Sequence, residues 1–217
     1  MADRISPREF LAAPGVEDWR LVSGGQWAYA HFRTGSFDVG AALVAEIAAL
    51  AGAANHHPDV DLRYASVAVR LSSHDVRGLS ARDVTLARQV SVAARELGVE
   101  ADPAAVQRIQ VAIDALDIAA VLPFWQAVLG YAAVGDADLV DPAGTGPPFW
   151  FQQMESPRPQ RNRIHVDVYL AVDQVEARLA AAIAAGGRMV SDAHAPDWWT
   201  LADPEGNEVD LAVWLDD

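Results

Sequence analysis

The sequence predicts an α+β fold in two parts: an N-terminal antiparallel sheet with helices on one face, then two C-terminal strand-helix-strand-strand-strand (βαβββ) modules. Three observations lead to this prediction. Segments with apolar residues at helical spacing are interleaved with segments in which apolar and polar residues alternate, as in strands. Two capping boxes, Ser6 with Glu9 and Ser80 with Asp83, mark helix starts in the first half. After residue 105 the order strand, helix, strand, strand, strand occurs twice.

Local signals place the elements of the first half. Pro7 follows the capping residue Ser6, and proline is favoured at the first position of a helix. Strands are indicated where large and small residues alternate, and Pro58 keeps the preceding histidines out of helical geometry. The predicted order is helix, strand, strand, helix, strand, strand, helix. The bounds that the patterns fix are helix 6–13, strands 19–22 and 27–33, helix 37–53, strand 67–71 and helix 80–97.

The second half repeats one pattern. Each repeat begins with a strand in which apolar residues alternate with polar ones, and a helix follows. Pro123 is expected to bend or delay the first of these helices. The predicted elements are strand 108–114, helix 117–129 and strands 131–134, 139–141 and 149–153, then strand 163–170, helix 173–185 and strands near 188, 198–202 and 208–213.

Composition divides the chain near residue 103. Residues 1–103 have a net charge of -3 and residues 104–217 a net charge of -11. Residues 98–105, at this boundary, contain glycine, charged residues and proline, which is typical of a linker. We therefore expect a first domain over residues 1–98, a linker over 99–105 and a second domain over 106–217.

The overall charge and the missing residue types exclude several classes of function. A net charge of -14 argues against nucleic-acid binding, which needs basic surfaces. The chain has no cysteine and no lysine, so it has no thiolate nucleophile and no Schiff-base lysine. The N-terminus lacks the apolar core of a signal peptide, and the most apolar window, 118–134, is interrupted by proline and glycine. We expect a cytoplasmic protein that does not bind membranes.

Three of the six histidines, His56, His57 and His74, lie within residues 55–83. Histidine can donate and accept protons near neutral pH, so such a cluster favours acid/base catalysis. A structural hydrogen-bonding role and a three-histidine zinc site are the alternatives. Two of the three candidate ligands are adjacent in the chain and no carboxylate clearly joins them, which disfavours zinc.

The stretch NHHPDVDLRYASVAVRLSSHDVRGLSARD resembles the signature of the pterin-4a-carbinolamine dehydratases. In that family a His-His-Pro run, an aromatic residue, a strand ending in Ser/Thr-His and a Gly-Leu-Ser/Thr-x-x-Asp helix start occur in this order. The resemblance covers about residues 17–98, and one departure is Gly52, where the family often has an acidic residue. Asp83 is interpreted mainly as a helix cap, Tyr64 as a packing residue and His31 as structural.

The resemblance implies a hydro-lyase that removes water from a 4a-hydroxytetrahydropterin and gives a quinonoid dihydropterin. It implies catalysis by His56, His57 and His74, with His57 and His74 as the working pair, and it implies no metal or other cofactor. Family analogy also implies a homo-oligomer. The residues expected to contact the pterin are Asn55, Pro58, Ser72, Ser73 and Asp75.

The second half, about residues 106–214, resembles the glyoxalase and bleomycin-resistance-like group of the vicinal oxygen chelate superfamily. The resemblance rests on LPFWQAVLGY, RIHVDVYL and LADPEGNEVDL. Metal-using members commonly have His or Glu on the first strand and Glu on the last, where this chain has Gln110 and Asp210. Amide oxygens are poor ligands for transition metals, so a metal-free pocket for an unknown small molecule is favoured. Its expected residues are Gln110, His165, Asp210, Trp150 and Trp198.

Pterin dehydration is the function that the sequence favours. A first alternative is that the second half carries the activity, as a small-molecule binder or a metal-dependent lyase or oxygenase. A second alternative is a non-catalytic role in binding a partner protein.

Overall fold

A computed structural model of the chain describes residues 4–22, 26–157, 165–170 and 172–213. The chain forms two compact units that divide after Arg108. Each unit has its own apolar core. The α+β fold class is confirmed, with an antiparallel sheet and helices in the first unit and two βαβββ modules in the second.

The first unit contains three α-helices and five strands among its described residues. Its first helix begins at the predicted capping box, in which the Ser6 hydroxyl accepts from the Glu9 N–H while the Glu9 carboxylate accepts from the Ser6 N–H. The elements are α1 (Pro7–Ala12), β1 (Arg20–Val22), β2 (Trp27–Arg33), α2 (Phe37–Ala54), β3 (Asp59–Arg63), β4 (Ser66–Leu71), α3 (Ala81–Glu96) and β5 (Glu100–Ala101).

The sheet of this unit has the strand order β1-β2-β4-β3, and β5 pairs with the other end of β2. All pairings are antiparallel. Residues of β2 and β4 alternate between a buried face, with Phe32 and Val69 among its members, and a more exposed face that includes Trp27 and Arg70. The buried face packs against the helices, so the second face stays open.

Helix α2 is long and apolar enough to cross a membrane by length and composition, with a mean hydropathy of 1.7. Its buried residues Leu43, Ile47 and Ala51 belong to the unit's interior. The core helix of a soluble protein passes the same test, so this property is weak evidence for a membrane span.

The stretch that was predicted to be a linker, residues 99–105, is instead built into the first unit. Val99 is 4% exposed and belongs to the core, and β5 extends the sheet by pairing Ala101 with Phe32. The Asp102 N–H also donates to the His31 carbonyl at 2.7 Å. The physical reason for the difference is this strand pairing, which a composition rich in glycine and charge does not reveal.

The second unit contains two α-helices and eight strands among its described residues. They are β6 (Val111–Ala115), α4 (Ile118–Leu129), β7 (Ala132–Val134), β8 (Asp138–Val140), β9 (Phe149–Gln153), β10 (Val166–Tyr169), α5 (Val175–Ala184), β11 (Arg188–Ser191), β12 (Trp198–Ala202) and β13 (Glu208–Ala212). The start of the strand predicted over 163–170 lies partly outside the described residues.

The two modules have the same topology. The first has the order β6-β9-β8-β7 and the second the order β10-β13-β12-β11. In each module the first strand pairs in parallel with the last one, and the other pairs are antiparallel. The predicted repeat of architecture is therefore confirmed.

Buried residues from both modules form one core in the second unit. The indole N–H of Trp125 in α4 donates to Asp203, a fully buried carboxylate in the second module, at 3.0 Å. Glu205 accepts from the N–H groups of Leu116 and Asp117 just before α4. These bonds between the modules fix the start of α4 and join the two halves of the unit.

Candidate functional site

Strand pairing explains how distant histidines in the first unit come to one end of its sheet. His56 and His57 lie between α2 and β3, and His74 follows β4. The antiparallel register pairs Asp59, the first residue of β3, with Arg70 near the end of β4. The His-His-Pro turn and the Ser-Ser-His turn therefore lie at the same end of the sheet.

A left-handed residue directs the chain from α2 into this site. Asn55 caps α2 with φ 46° and ψ 43°, a conformation that asparagine tolerates better than most residues. The His56 N–H then donates to the Ala51 carbonyl at 3.1 Å. This turn directs His56 back into the unit, where His56 is only 7% exposed.

His56 is held by a buried carboxylate. Its Nε2 lies 2.8 Å from Oδ1 of Asp83, which is 0% exposed. Asp83 Oδ2 accepts from the Ser73 hydroxyl at 2.7 Å and from the Ser80 N–H at 2.7 Å. The capping role predicted for Asp83 is confirmed, and the bond to His56 is a second role that the local sequence pattern does not reveal.

This arrangement fixes which nitrogen of His56 carries a proton. Asp83 lies in the first turn of α3, where a negative charge interacts favourably with the helix dipole. A carboxylate only accepts hydrogen bonds, so Nε2 of His56 is the donor in this pair. Nδ1 is then the nitrogen of His56 that can accept a proton, as an assignment from the hydrogen-bond network.

His57 and His74 are exposed, in contrast to His56. The ring of His74 makes an edge contact with Trp27, with 6.1 Å between ring centroids and 76° between the planes. Trp27 is half-buried at the start of β2 on the open face of the sheet. His57 and His74 are therefore accessible to a substrate, and Trp27 forms a wall beside His74.

Arg70 connects this wall to the other histidine turn. Its guanidinium carbon lies 4.4 Å from the centroid of the Trp27 ring, a cation–π contact. Its Nε donates to Asp59 at 2.8 Å, two residues after His57. Arg70 and Trp27 were not predicted as site residues, because no local sequence pattern shows which residues meet across the open face.

The predicted substrate contacts have different environments. Asn55 is exposed and Pro58 half-buried, so both can meet a ligand. Ser73, however, is 1% exposed and its hydroxyl bonds to Asp83 and Ser80. The prediction that Ser73 contacts substrate is therefore corrected to a role in the hydrogen-bond network, because its hydroxyl is buried and used.

Ser72 and Asp75 flank Ser73 and His74 in the chain, and they differ in exposure. Ser72 is 6% exposed, and its hydroxyl donates to the Gly78 carbonyl at 3.3 Å. Asp75 is exposed and pairs with Arg82. The hydrogen bond from Arg82 lowers the pKa of Asp75, so this carboxyl stays ionised at the rim of the site.

Tyr64 differs from its prediction as well. It lies in the turn between β3 and β4 and is 74% exposed. The interpretation as a packing residue is wrong, because the turn carries this side chain away from the core.

The residues predicted for the second site are only partly brought together. His165 Nε2 lies 3.7 Å from Asp210 Oδ2, whereas Gln110 is exposed, precedes β6 and makes no hydrogen bond to either within the described ranges. Trp150 is 36% exposed on β9, and Trp198 is half-buried on β12, stacked on His194. Asp167 joins His165 and Asp210, although no sequence motif pointed to it.

In the first unit, the buried Asp83 holds His56 at the end of the sheet where the exposed His57 and His74 also lie. Comparison with known proteins finds a match for each unit. A family model for pterin 4 alpha carbinolamine dehydratase matches residues 4–93, and one for a glyoxalase-like domain matches residues 110–212.

Relatives extend the match. A protein from Roseiflexus sp. (strain RS-1), provisionally named pterin-4-alpha-carbinolamine dehydratase, is 44% identical over 91 residues, which are 42% of this chain and 96% of that protein. A protein of the same provisional name from Chloroflexus aggregans is 40% identical over 73 residues, 34% of this chain and 77% of that protein. The chain therefore belongs to the pterin-4a-carbinolamine dehydratase family through its first unit, and it carries a glyoxalase-like domain as its second.

Other matches are shorter or structural. A Nocardia farcinica protein of the same provisional name is 47% identical over 60 residues, which span 63% of its length. A crystal structure described as a transcriptional coactivator/pterin dehydratase from Brucella melitensis is 26% identical, with 42% of this chain and 99% of that chain covered and a TM-score of 0.40. A glyoxalase/bleomycin resistance protein/dioxygenase family enzyme from Burkholderia phytofirmans is 20% identical, with 49% and 97% covered and a TM-score of 0.41.

Proposed function

We propose that the first unit is a hydro-lyase that dehydrates a 4a-hydroxytetrahydropterin by histidine acid/base catalysis. The observation that carries the proposal is the pairing of the buried His56 with Asp83, at the end of the sheet that also presents His57 and His74. Family membership supports the choice of a pterin as the substrate.

The reaction needs two proton transfers. The C4a–O bond breaks as a proton reaches the leaving hydroxyl, which departs as water. A second proton leaves the ring nitrogen N5, so that a carbon–nitrogen double bond forms and the quinonoid dihydropterin results. Each such transfer by a positioned side chain contributes about 100- to 10,000-fold to a rate.

The exposure of the histidines supports a division of work between them. His57 and His74 are exposed and can reach the substrate, so we assign them the two proton transfers. His56 is buried, with Nε2 donating to Asp83, and it assists through its Nδ1. Asp83 is a positioning residue, because it fixes the ring of His56 and the start of α3 together.

Trp27 and Arg70 complete the proposed site. The indole ring of Trp27, beside His74, offers an apolar surface to the flat pterin ring. Arg70, on the neighbouring strand β4, holds the indole ring in place through its cation–π contact. Asn55, Pro58 and Asp75 remain the proposed polar and rim contacts, since they border the same turns.

The proposal is tested by measuring dehydration of a chemically generated 4a-hydroxytetrahydropterin by the full-length protein. We expect acceleration by the wild-type chain and a loss of at least about 100-fold in His57→Ala or His74→Ala. His194→Ala, an exposed histidine of the second unit, is the matched control and should keep the wild-type rate. A wild-type protein without activity, or full activity in both site variants, would contradict the proposal.

A homo-oligomeric state and a cytoplasmic location remain part of the proposal, from family analogy and from composition. Binding of a second small molecule by the glyoxalase-like domain is also proposed, with Trp150 and Trp198 as pocket residues on the strands of the two modules.

A further inference from the structure

Three arginines of the first unit converge on Tyr29, on the open face of the sheet. In the antiparallel register, Tyr29 of β2 pairs with Arg20 of β1 on one side and with Arg70 of β4 on the other. Residues paired in this way lie on the same face of a sheet. The guanidinium carbon of Arg108 lies 5.6 Å from the centroid of the Tyr29 ring, a cation–π contact. These four residues, called the Tyr29 cluster below, take no part in the proton transfers proposed above.

Arg108 comes to this face because residues 102–108 follow β2. The Asp102 N–H donates to the carbonyl of His31, two residues beyond Tyr29 on the strand, at 2.7 Å. The same segment ends with Arg108 over the Tyr29 ring, and Arg108 is the last residue of the first unit. The segment therefore adds a third arginine to the two that the strands supply.

The positive charge of the Tyr29 cluster is only partly compensated. Arg70 pairs with Asp59. Arg20 is exposed and donates through Nη1 to two backbone carbonyls, each at 2.8 Å. Within the described parts of the chain, neither Arg20 nor the exposed Arg108 forms an ion pair with a carboxylate. Two positive charges thus remain uncompensated on one face of a chain whose net charge is -14.

The Tyr29 cluster lies directly beside the proposed pterin site. Trp27 and Tyr29 are two residues apart on the same face of β2, which places them about 7 Å from each other. Arg70 connects them, because it stacks on Trp27 with 4.4 Å to the ring centroid and pairs with Tyr29 in the register. A pterin ring that lies against Trp27 brings a short substituent of that ring within reach of the cluster.

Guanidinium groups select for anions. Their N–H groups match the oxygens of a phosphate or a carboxylate in geometry, and such charge-assisted hydrogen bonds are about twice as strong as neutral ones. A neutral hydroxyl substituent gains much less from the same groups. The charge of the cluster therefore fits a substituent that carries a phosphate or a carboxylate.

We propose that the Tyr29 cluster binds an anionic group on the substituent of the pterin, with Arg108 as the residue that determines this specificity. The identity of the ring rests on the proposed function, whereas binding of the anionic group requires no turnover. Arg108 lies beyond residues 4–93, which the dehydratase family model matches, so that match does not account for it.

The test is equilibrium binding of two matched ligands to the full-length protein. The ligands are 6-hydroxymethylpterin and its phosphate ester, which share one ring and differ in one anionic group, and the fluorescence of the pterin reports binding. We expect the phosphate ester to bind at least about tenfold more tightly to the wild type. Arg108→Ala should reduce this preference to less than about threefold, and Arg108→Lys should restore part of it, because it keeps the charge without the planar fork.

A control variant separates the cluster from a general effect of positive charge. Arg63→Ala removes an arginine of the same unit whose side chain is 74% exposed and pairs with Asp61, and it should keep the wild-type preference. Added salt should weaken the preference of the wild type, because exposed charges are screened. Circular dichroism checks that each variant is folded.

The ratio of the two affinities decides the proposal. Loss of the preference in Arg108→Ala with retention in Arg63→Ala supports it. Equal affinity of the wild type for the two ligands, binding of neither, or a preference that Arg108→Ala leaves unchanged overturns it. The dehydration assay separates this result from the proposed function, because a wild type that prefers the phosphate ester without dehydrating any pterin contradicts only the proposed function.

Discussion

The two units hold histidine beside aspartate in opposite ways. In the first unit, the buried His56 meets a fully buried Asp83 whose oxygens also bind two serines and a backbone N–H. In the second unit, the exposed His165 lies near two carboxylates that are paired side by side across a sheet. The first arrangement fixes the orientation and tautomer of a histidine, whereas the second leaves the histidine ring largely exposed to solvent.

Local structure produces the contrast. Asp83 lies at the start of a helix, where the cap, the serine hydroxyls and the imidazole together satisfy a buried carboxylate. Asp167 and Asp210 lie on strands whose polar face is more open, so their carboxylates remain partly hydrated. Burial therefore favours a positioning role, whereas exposure leaves the side chains in contact with solvent.

The largest expected effect separates the two histidine sites by activity. His57→Ala should reduce pterin dehydration by at least about 100-fold, because it removes a proton-transfer group. His165→Ala should leave dehydration unchanged, because its site lies in the other unit. The dehydration rates of both purified variants are measured on the same substrate preparation. A larger loss in His165→Ala than in His57→Ala would contradict the assignment of catalysis to the first unit.

Stability should separate the two aspartates. Asp83→Asn changes a buried acceptor of several hydrogen bonds, which we expect to lower the free energy of unfolding by about 1–3 kcal/mol. Asp210→Asn relieves the repulsion with its register partner Asp167, and we expect the free energy of unfolding to change by no more than about 0.5 kcal/mol. Calorimetric unfolding of the two variants measures this difference, and an unchanged transition in Asp83→Asn would contradict the network described for it.

Asp141 provides a hydrogen-bonded carboxylate without a histidine. The Gly146 N–H is the main cause that lowers the pKa of Asp141 from 3.8 to about 2, and Ala143 and Thr145 also donate. A lowered pKa means that the stabilisation is complete above about pH 4 and is lost as the pH falls through about 2.

We expect Asp141→Asn to lower the free energy of unfolding by about 1 kcal/mol at pH 7, after allowance for solvent screening. The difference from the wild type should shrink between about pH 4 and pH 2. Urea unfolding at several pH values measures it, with Asp136→Asn, an exposed residue nearby, as the control. A difference that stays constant down to about pH 2 would mean that the ionised form is not what stabilises the loop.

The smallest expected effect concerns the wall beside His74. Arg70→Ala removes the cation–π contact with Trp27 and the hydrogen bond to Asp59. A cation–π contact is worth about 0.5–1 kcal/mol, so we expect a roughly two- to fivefold loss of kcat/KM. Arg70→Lys keeps the charge but not the planar stacking, so it should only partly restore the rate. Equal rates in wild type and Arg70→Ala would remove Arg70 from the site.

Local sequence patterns predicted the parts of the fold that local interactions determine. The bounds of β2 and both capping boxes agree with prediction, because alternation and helix caps involve neighbouring residues. The three clustered histidines could be predicted for the same reason, because they lie in turns at the ends of α2 and β4, which the local sequence pattern marks.

What the sequence could not predict depends on contacts between distant residues. His56 and Asp83 are 27 positions apart, so a cap signal at Asp83 does not show that a histidine also bonds to it. The pairing of Ala101 with Phe32 converts an apparent linker into a strand. The register between β10 and β13 sets Asp167 beside Asp210 and so adds a residue to the second cluster.

The central claim is that the histidines of the first unit dehydrate a pterin. The most direct measurement is the rate of 4a-hydroxytetrahydropterin dehydration by the wild-type chain and by the double variant His57→Ala/His74→Ala, with circular dichroism to show that both are folded. We predict acceleration by the wild type and a rate at the uncatalysed background for the folded double variant. A folded double variant that is as active as the wild type, or a folded wild type without activity, would contradict the claim.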